Sequence, residues 1–95
     1  MLNGIYRCVD NNHMFPEYSY TMKVKETKKT YMMKLLKNDS RFSQAHIDLM
    51  FQDKEKIAIS KEKSAHAITD WGDNSFTIYP FRAGIPYLFE LQKEA

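Results

Sequence analysis

Hydrophobic and polar residues alternate along much of this chain, and the alternation predicts antiparallel β-strands. In the segment 18–25 every second residue is apolar, namely Tyr18, Tyr20, Met22 and Val24, and the residues between are polar. Such a period of two is typical of a half-buried strand. Residues 30–37 repeat the pattern after a short polar join, so the two segments predict a β-hairpin.

The C-terminal part predicts a three-stranded meander around which the fold is built. Its strands and turns are, in order, 67–71, 72–74, 75–81, 82–84 and 85–91. Both turns contain glycine, which tolerates the left-handed backbone of tight turns, and Gly84 fits a three-residue hairpin loop. The meander also holds the only tryptophan, Trp71, which we expect to lie in the core.

Further strands are predicted at 4–9 and 56–61, and 92–95 is predicted to be a frayed tail. The total is about seven or eight short strands at regular spacing. The chain is therefore expected to be a single mainly β domain over residues 1–95. A small antiparallel β-barrel or a two-layer β-sandwich, with at most one short helix near 41–50, suits this pattern.

The segment 41–51 fits two interpretations. As a helix it would be capped by Ser40 or Ser43 and would bury an apolar stripe of Phe42, Ala45, Leu49 and Met50. As a strand it would direct Ile47, Leu49 and Phe51 inward. We favour the strand for 45–51.

Composition limits the classes of function. The formal net charge is +2, and the basic residues are eleven lysines and three arginines. This gives no strong attraction to nucleic acid or membranes, and arginine is the better residue for bidentate phosphate contacts. There is no apolar run of membrane-spanning length and no signal-peptide pattern. With a single cysteine and no internal disulfide, a cytoplasmic protein is expected.

Candidate catalytic and metal-binding residues are sparse. The histidines His13, His46 and His66 show no recognised ligand spacing with Cys8 or Asp10. Cys8 lacks a basic neighbour on its own strand face, so burial is the expected role. No phosphate-binding glycine loop or hydrolase serine motif is present. The sequence predicts no catalytic residues, no metal site and no cofactor.

The hairpin 18–37 is the predicted contact surface. Only one of its faces can pack on the core, so Met32 and Leu36 are expected near the surface beside Lys23, Lys25 and Lys34. Apolar anchors within a polar rim are typical of protein interfaces. The favoured function is a small non-catalytic binding module that acts through a protein partner or as a homodimer. An accessory or inhibitor protein of a phage or other mobile element would fit this size.

The alternative function is a nucleic-acid-binding β-barrel that uses the same hairpin. Its candidate residues are Lys28, Lys29 and Lys34 with Tyr18, Tyr20 and Tyr31. Lysines would hold the phosphates, and exposed aromatic rings would stack on bases. Alternation argues against this, since the tyrosines share the face opposite Lys23 and Lys25.

Overall fold

The fold is described by a computed structural model that covers residues 1–9, 19–51, 55–82, 85–86 and 89–94. The elements are β1 (Gly4–Val9), β2 (Tyr20–Glu26), β3 (Thr30–Asn38), a 3₁₀ helix (Arg41–Ser43), α1 (Gln44–Phe51), β4 (Lys56–Ser60), β5 (His66–Asp70), β6 (Ser75–Arg82), β7 (Ile85–Pro86) and β8 (Phe89–Lys93). The mainly β prediction is confirmed.

Within the described ranges, seven strands form one antiparallel sheet in the order β4-β3-β2-β1-β8-β6-β5, and β7 pairs with β6. The sheet curls into a nearly closed barrel with one short helical segment. Of the two predicted architectures, the barrel is therefore the observed one. The predicted C-terminal meander is confirmed in its pairing, because β6 lies between β5 and β8, although its last strand is β8 rather than 85–91. β8 also pairs with β1, so it joins the C-terminal part to the N-terminal strands.

Among the described residues no pairing joins β4 to β5, so these two strands border the gap in the nearly closed barrel. These two strands are the ends of the sheet order, and alternating antiparallel pairs make them run in the same direction. Parallel strands that pair side by side are joined by a crossover of about a dozen residues or more. Only residues 61–65 connect β4 to β5, so this connection is too short for such a crossover. Ser60 and Ser64 hydroxyls accept backbone N–H groups in this connection, which forms compact turns.

The core is the inner face of this sheet, and the predicted alternation identifies much of it. Tyr20, Met22 and Val24 of β2 are buried, whereas Lys23 and Lys25 between them are exposed. The same face of other elements adds Tyr6, Cys8, Met33, Ile59, Phe76, Ile78, Phe89 and Leu91. The predicted burial of Cys8 is thus confirmed. Tyr18 lies outside the described residues.

The strand prediction for 45–51 is wrong, because this segment is α1. Ser40 caps the preceding 3₁₀ helix by accepting the Phe42 N–H. The predicted apolar stripe is also displaced, since Phe42 and Ala45 are exposed. Ser43 determines which face of the helix is buried, because its own buried hydroxyl donates to the Ser19 carbonyl at 3.0 Å. The helix therefore buries the positions three to eight residues further on, namely His46, Ile47, Met50 and Phe51.

The last strand ends two residues later than predicted. Gln92 and Lys93 belong to β8, where Lys93 pairs with Tyr6 and donates its N–H to Asn74. The predicted frayed tail is therefore wrong at these two positions. The turn that accepts this hydrogen bond is as predicted, with positive φ at Gly72 (73°) and Asn74 (65°). Gly84 lies outside the described residues.

Trp71 is not a core residue, contrary to the prediction. Its side chain is 58% exposed, and its indole N–H donates to the Thr77 hydroxyl at 3.3 Å. The residue follows the end of β5, so the inward alternation of that strand does not extend to it. The nearby core is filled instead by Phe76 and Tyr6, whose rings meet edge-to-face at 4.7 Å.

We expect Trp71→Ala to lower the free energy of unfolding by about 1 kcal/mol, the size of one part-exposed hydrogen bond and its packing. Urea denaturation followed by far-ultraviolet circular dichroism measures this. A loss above about 3 kcal/mol would show that the indole is part of the core.

Candidate functional site

The outer face of β2, β3 and β4 carries a row of lysines across the strands. In β2 and β3 Lys23 lies opposite Lys34, and in β3 and β4 Lys34 lies opposite Lys56. Alternation directs all three side chains outward, and all three are exposed. Adjacent strands lie about 4.8 Å apart, so the backbone positions of the three lysines fall within about 10 Å.

A second row runs beside the first and is largely apolar. Lys25 lies opposite Met32, which in turn lies opposite Ala58. The Met32 side chain is 50% exposed at the middle of this row. The two rows line a groove of about 360 Å³, which we call the basic groove and define by Lys23, Lys25, Met32, Lys34, Lys56 and Ala58.

The charges of the basic groove are not neutralised by ion pairs in the part of the chain that the structure describes. The two ion pairs found there are Lys37–Asp39 and Lys61–Glu26, and both lie outside the groove. Like charges directly opposite each other on neighbouring strands destabilise a sheet. A row of three unneutralised lysines therefore costs stability in the isolated protein, and an anionic ligand would offset that cost.

The structure brings together four of the five residues predicted to bind a partner: Lys23, Lys25, Met32 and Lys34. The fifth, Leu36, is 45% exposed, as expected, but it lines a separate depression with Ile5 and Arg7. Lys56 and Ala58 were missed. They come from β4, and no feature of the sequence reveals the register of β4 against β3.

The candidate nucleic-acid residues are dispersed. Tyr20 is fully buried, so its ring cannot stack on a base and its predicted role is wrong. Tyr31 is half-buried and has the Lys61 ammonium over its ring at 4.9 Å. Lys28 and Lys29 are exposed in the β2–β3 turn, whereas Lys34 lies in the basic groove.

A buried polar cluster lies where α1 packs on the barrel. The Cys8 sulfur is 4.0 Å from Nδ1 of His46, and the Tyr20 hydroxyl is 3.5 Å from Nε2. The imidazole stacks on Phe89, with 3.3 Å between ring centroids. Burial lowers the pKa of His46 to about 3, so the ring is neutral at neutral pH. A neutral imidazole cannot stabilise a thiolate by charge, and the cluster packs the core.

Glu26 lies at the end of β2 opposite Tyr20 and makes hydrogen bonds to two other segments. Its carboxylate accepts hydrogen bonds from the Lys61 ammonium at 2.7 Å and from the Leu2 N–H at 2.8 Å. These two bonds hold the pKa of Glu26 below its usual range. The contacts connect β2, the N-terminal residues and the β4–β5 connection, which indicates a structural role.

No group of three or more His, Cys, Asp or Glu side chains suited to a metal ion is found among the described residues, from which His13 and Asp10 are excluded. Neither helix in the described ranges has the length and apolar character needed to cross a membrane. No protein-family model, characterised protein or solved structure matches the chain.

Proposed function

We propose that the protein is a small non-catalytic binding module whose contact surface is the basic groove and whose partner is a protein with an acidic surface. The observation that carries this proposal is the exposed Met32 side chain among Lys23, Lys25, Lys34 and Lys56. An apolar anchor inside a polar rim is the usual anatomy of a protein contact. The unneutralised lysines add attraction to carboxylates and oppose partners of positive charge.

A protein suits the groove better than a nucleic acid does. The groove is lined by lysine but not by arginine, and the apolar residues that line it are Met32, Met33, Ile57 and Ala58 rather than aromatic rings. Single-stranded nucleic acids are held mainly by aromatic stacking together with backbone charge. Methionine is instead enriched at protein interfaces, where its flexible side chain adapts to the partner.

A second copy of the chain is a weaker candidate than an acidic partner. In a two-fold dimer through this face, each groove would meet the same four lysines of the other copy. Such like-charge contacts oppose association. Self-association is therefore expected to be weak at this surface.

The proposal is tested by site-specific photo-crosslinking in extracts of the source cells. A photoreactive phenylalanine derivative is placed at Ala58, which lines the groove, or at Ala67, which is also an exposed alanine but lies on β5. We expect the probe at position 58 to give a protein adduct that position 67 does not give. Adding Lys34→Glu should reduce its yield about tenfold, because the central charge of the lysine row is reversed.

The matched control for charge is Lys63→Glu, since Lys63 is exposed and lies in the β4–β5 connection, outside the residues that line the groove. This variant should retain the adduct. Three results would contradict the proposal: the same adducts from both probe positions, an adduct removed by nuclease, or an adduct consisting of two copies of this chain.

A further inference from the structure

We infer that the element bound by the basic groove is an acidic amphipathic α-helix that lies across the strands, along the Lys23–Lys34–Lys56 row. This inference rests on the proposed function and specifies the secondary structure and charge pattern of the partner. It follows from how the strand register spaces the lysines.

The spacing of the lysine row matches the spacing of residues on one side of a helix. Neighbouring strands place successive lysines about 4.8 Å apart, so the outer two are about 9.6 Å apart. A helix rises about 1.5 Å per residue, which places positions i, i+3 and i+7 at 0, about 4.5 and about 10.5 Å along its axis. Those three positions share one face. Carboxylates at these positions therefore face Lys23, Lys34 and Lys56 in turn.

An extended peptide matches the groove less well in either direction. Across the strands, residues on one side of an extended chain repeat about every 6.7 Å, so the third carboxylate passes the last lysine by about 4 Å. Along the strands the spacing suits a peptide, but β2 alone provides two lysines in line, Lys23 and Lys25. On β3 and β4 the next outward residues after Lys34 and Lys56 are Met32 and Ala58.

The apolar row gives the helix a second point of contact. Met32 and Ala58 lie two residues along their strands from Lys34 and Lys56, which is a displacement of about 6.7 Å to one side. A helix about 10 Å wide whose axis runs between the two rows, about 3.4 Å from each, covers both of them. Apolar residues at i+1, i+4 and i+8 then face Met32 and Ala58, since that stripe lies about 100° around the helix from the acidic one.

The test uses three synthetic peptides of about 16 residues, of which the first two have the same composition, and fluorescence anisotropy with the full chain. The first is held helical by a side-chain bridge, with Glu at i, i+3 and i+7 and Leu at i+1, i+4 and i+8. The second rearranges the same residues so that Glu and Leu alternate, as in a strand. The third keeps the first pattern but has proline at its centre, which breaks the helix. A labelled oligo(U) RNA serves as the competing polyanion.

We expect the helical peptide to bind at least about tenfold more tightly than the alternating isomer, the proline peptide and the RNA at physiological salt. Lys34→Glu should remove most of this binding, whereas Lys63→Glu should leave it unchanged. Equal or tighter binding of the alternating isomer or of RNA overturns the inference, as does the absence of binding by the helical peptide. A protein adduct at position 58 alongside such a result would leave the proposed function standing and exclude the helix.

Discussion

Phe76→Ala is expected to lower the free energy of unfolding by about 3–5 kcal/mol. Phe76 is fully buried in β6, which pairs with β5 on one side and β8 on the other. Its ring contacts Tyr6 edge-to-face, so the substitution removes both apolar burial and an aromatic pair. A domain of this size has about 5–15 kcal/mol of stability in total, so the variant should be close to unfolding at room temperature.

Urea denaturation measures this effect, and Trp71→Ala is the matched control. The two aromatic residues are five positions apart in the sequence, but Phe76 is fully buried and Trp71 is 58% exposed. The ratio of the two losses is therefore a direct test of which aromatic residue supports the barrel. Equal losses would show that the arrangement of this turn and of β6 is wrong.

Acidification from pH 7 to pH 5 is expected to lower the free energy of unfolding by about 2 kcal/mol because of His46. Desolvation lowers the pKa of this buried imidazole from 6.5 to about 3. Between these two values the unfolded state binds a proton that the folded state does not. Stability therefore rises with pH through this window and is lost as the pH falls below the unfolded pKa.

The measurement is a series of urea titrations at pH 7, 6 and 5, repeated with His46→Gln. This variant has no titratable group at position 46, so the pH dependence should largely disappear, whatever its stability at pH 7. Burial also lowers the pKa of the less buried His66, and His66→Gln should remove only a minor part of the effect. The depressed pKa of Glu26 acts below its unfolded value of 4.5 and so contributes little in this range. An unchanged pH dependence in His46→Gln would show that another group is responsible.

The strands could be predicted from the sequence wherever one face is buried and the other is exposed. β2 is the clearest example, because Tyr20, Met22 and Val24 alternate with lysines and are all buried. The segment 45–51 could not be assigned in this way, since its apolar residues suit both a strand and a helix. Which face of this helix is buried depends on the contact between Ser43 and the backbone of Ser19, the residue just before β2. Such a tertiary contact leaves no local signal in the sequence.

The candidate site was predictable in part for the same reason. Alternation within β2 and β3 is enough to place Lys23, Lys25, Met32 and Lys34 on the outer face. The contribution of Lys56 and Ala58 depends on the pairing of β4 with β3, which is a property of the register and not of either strand alone. Leu36 has the same alternation as Met32 in β3, but it lies on the other side of Lys34, beside the irregularity between Thr21 and Met22.

The position of β8 in the sheet has a consequence for how fast this chain reaches its native state. β8 pairs with β1 on one side and with β6 on the other. Tyr6 and Lys93, which are near opposite ends of the described sequence, therefore face each other. Contacts between residues this distant in sequence require closure of a large loop before they contribute energy, and folding rates fall as such contacts become dominant. Until β8 is in place, β1 and β6 each expose an unpaired edge that can pair with another molecule. Folding of this barrel is therefore expected to be slow for its size, and its intermediates to be most prone to aggregation along those two edges.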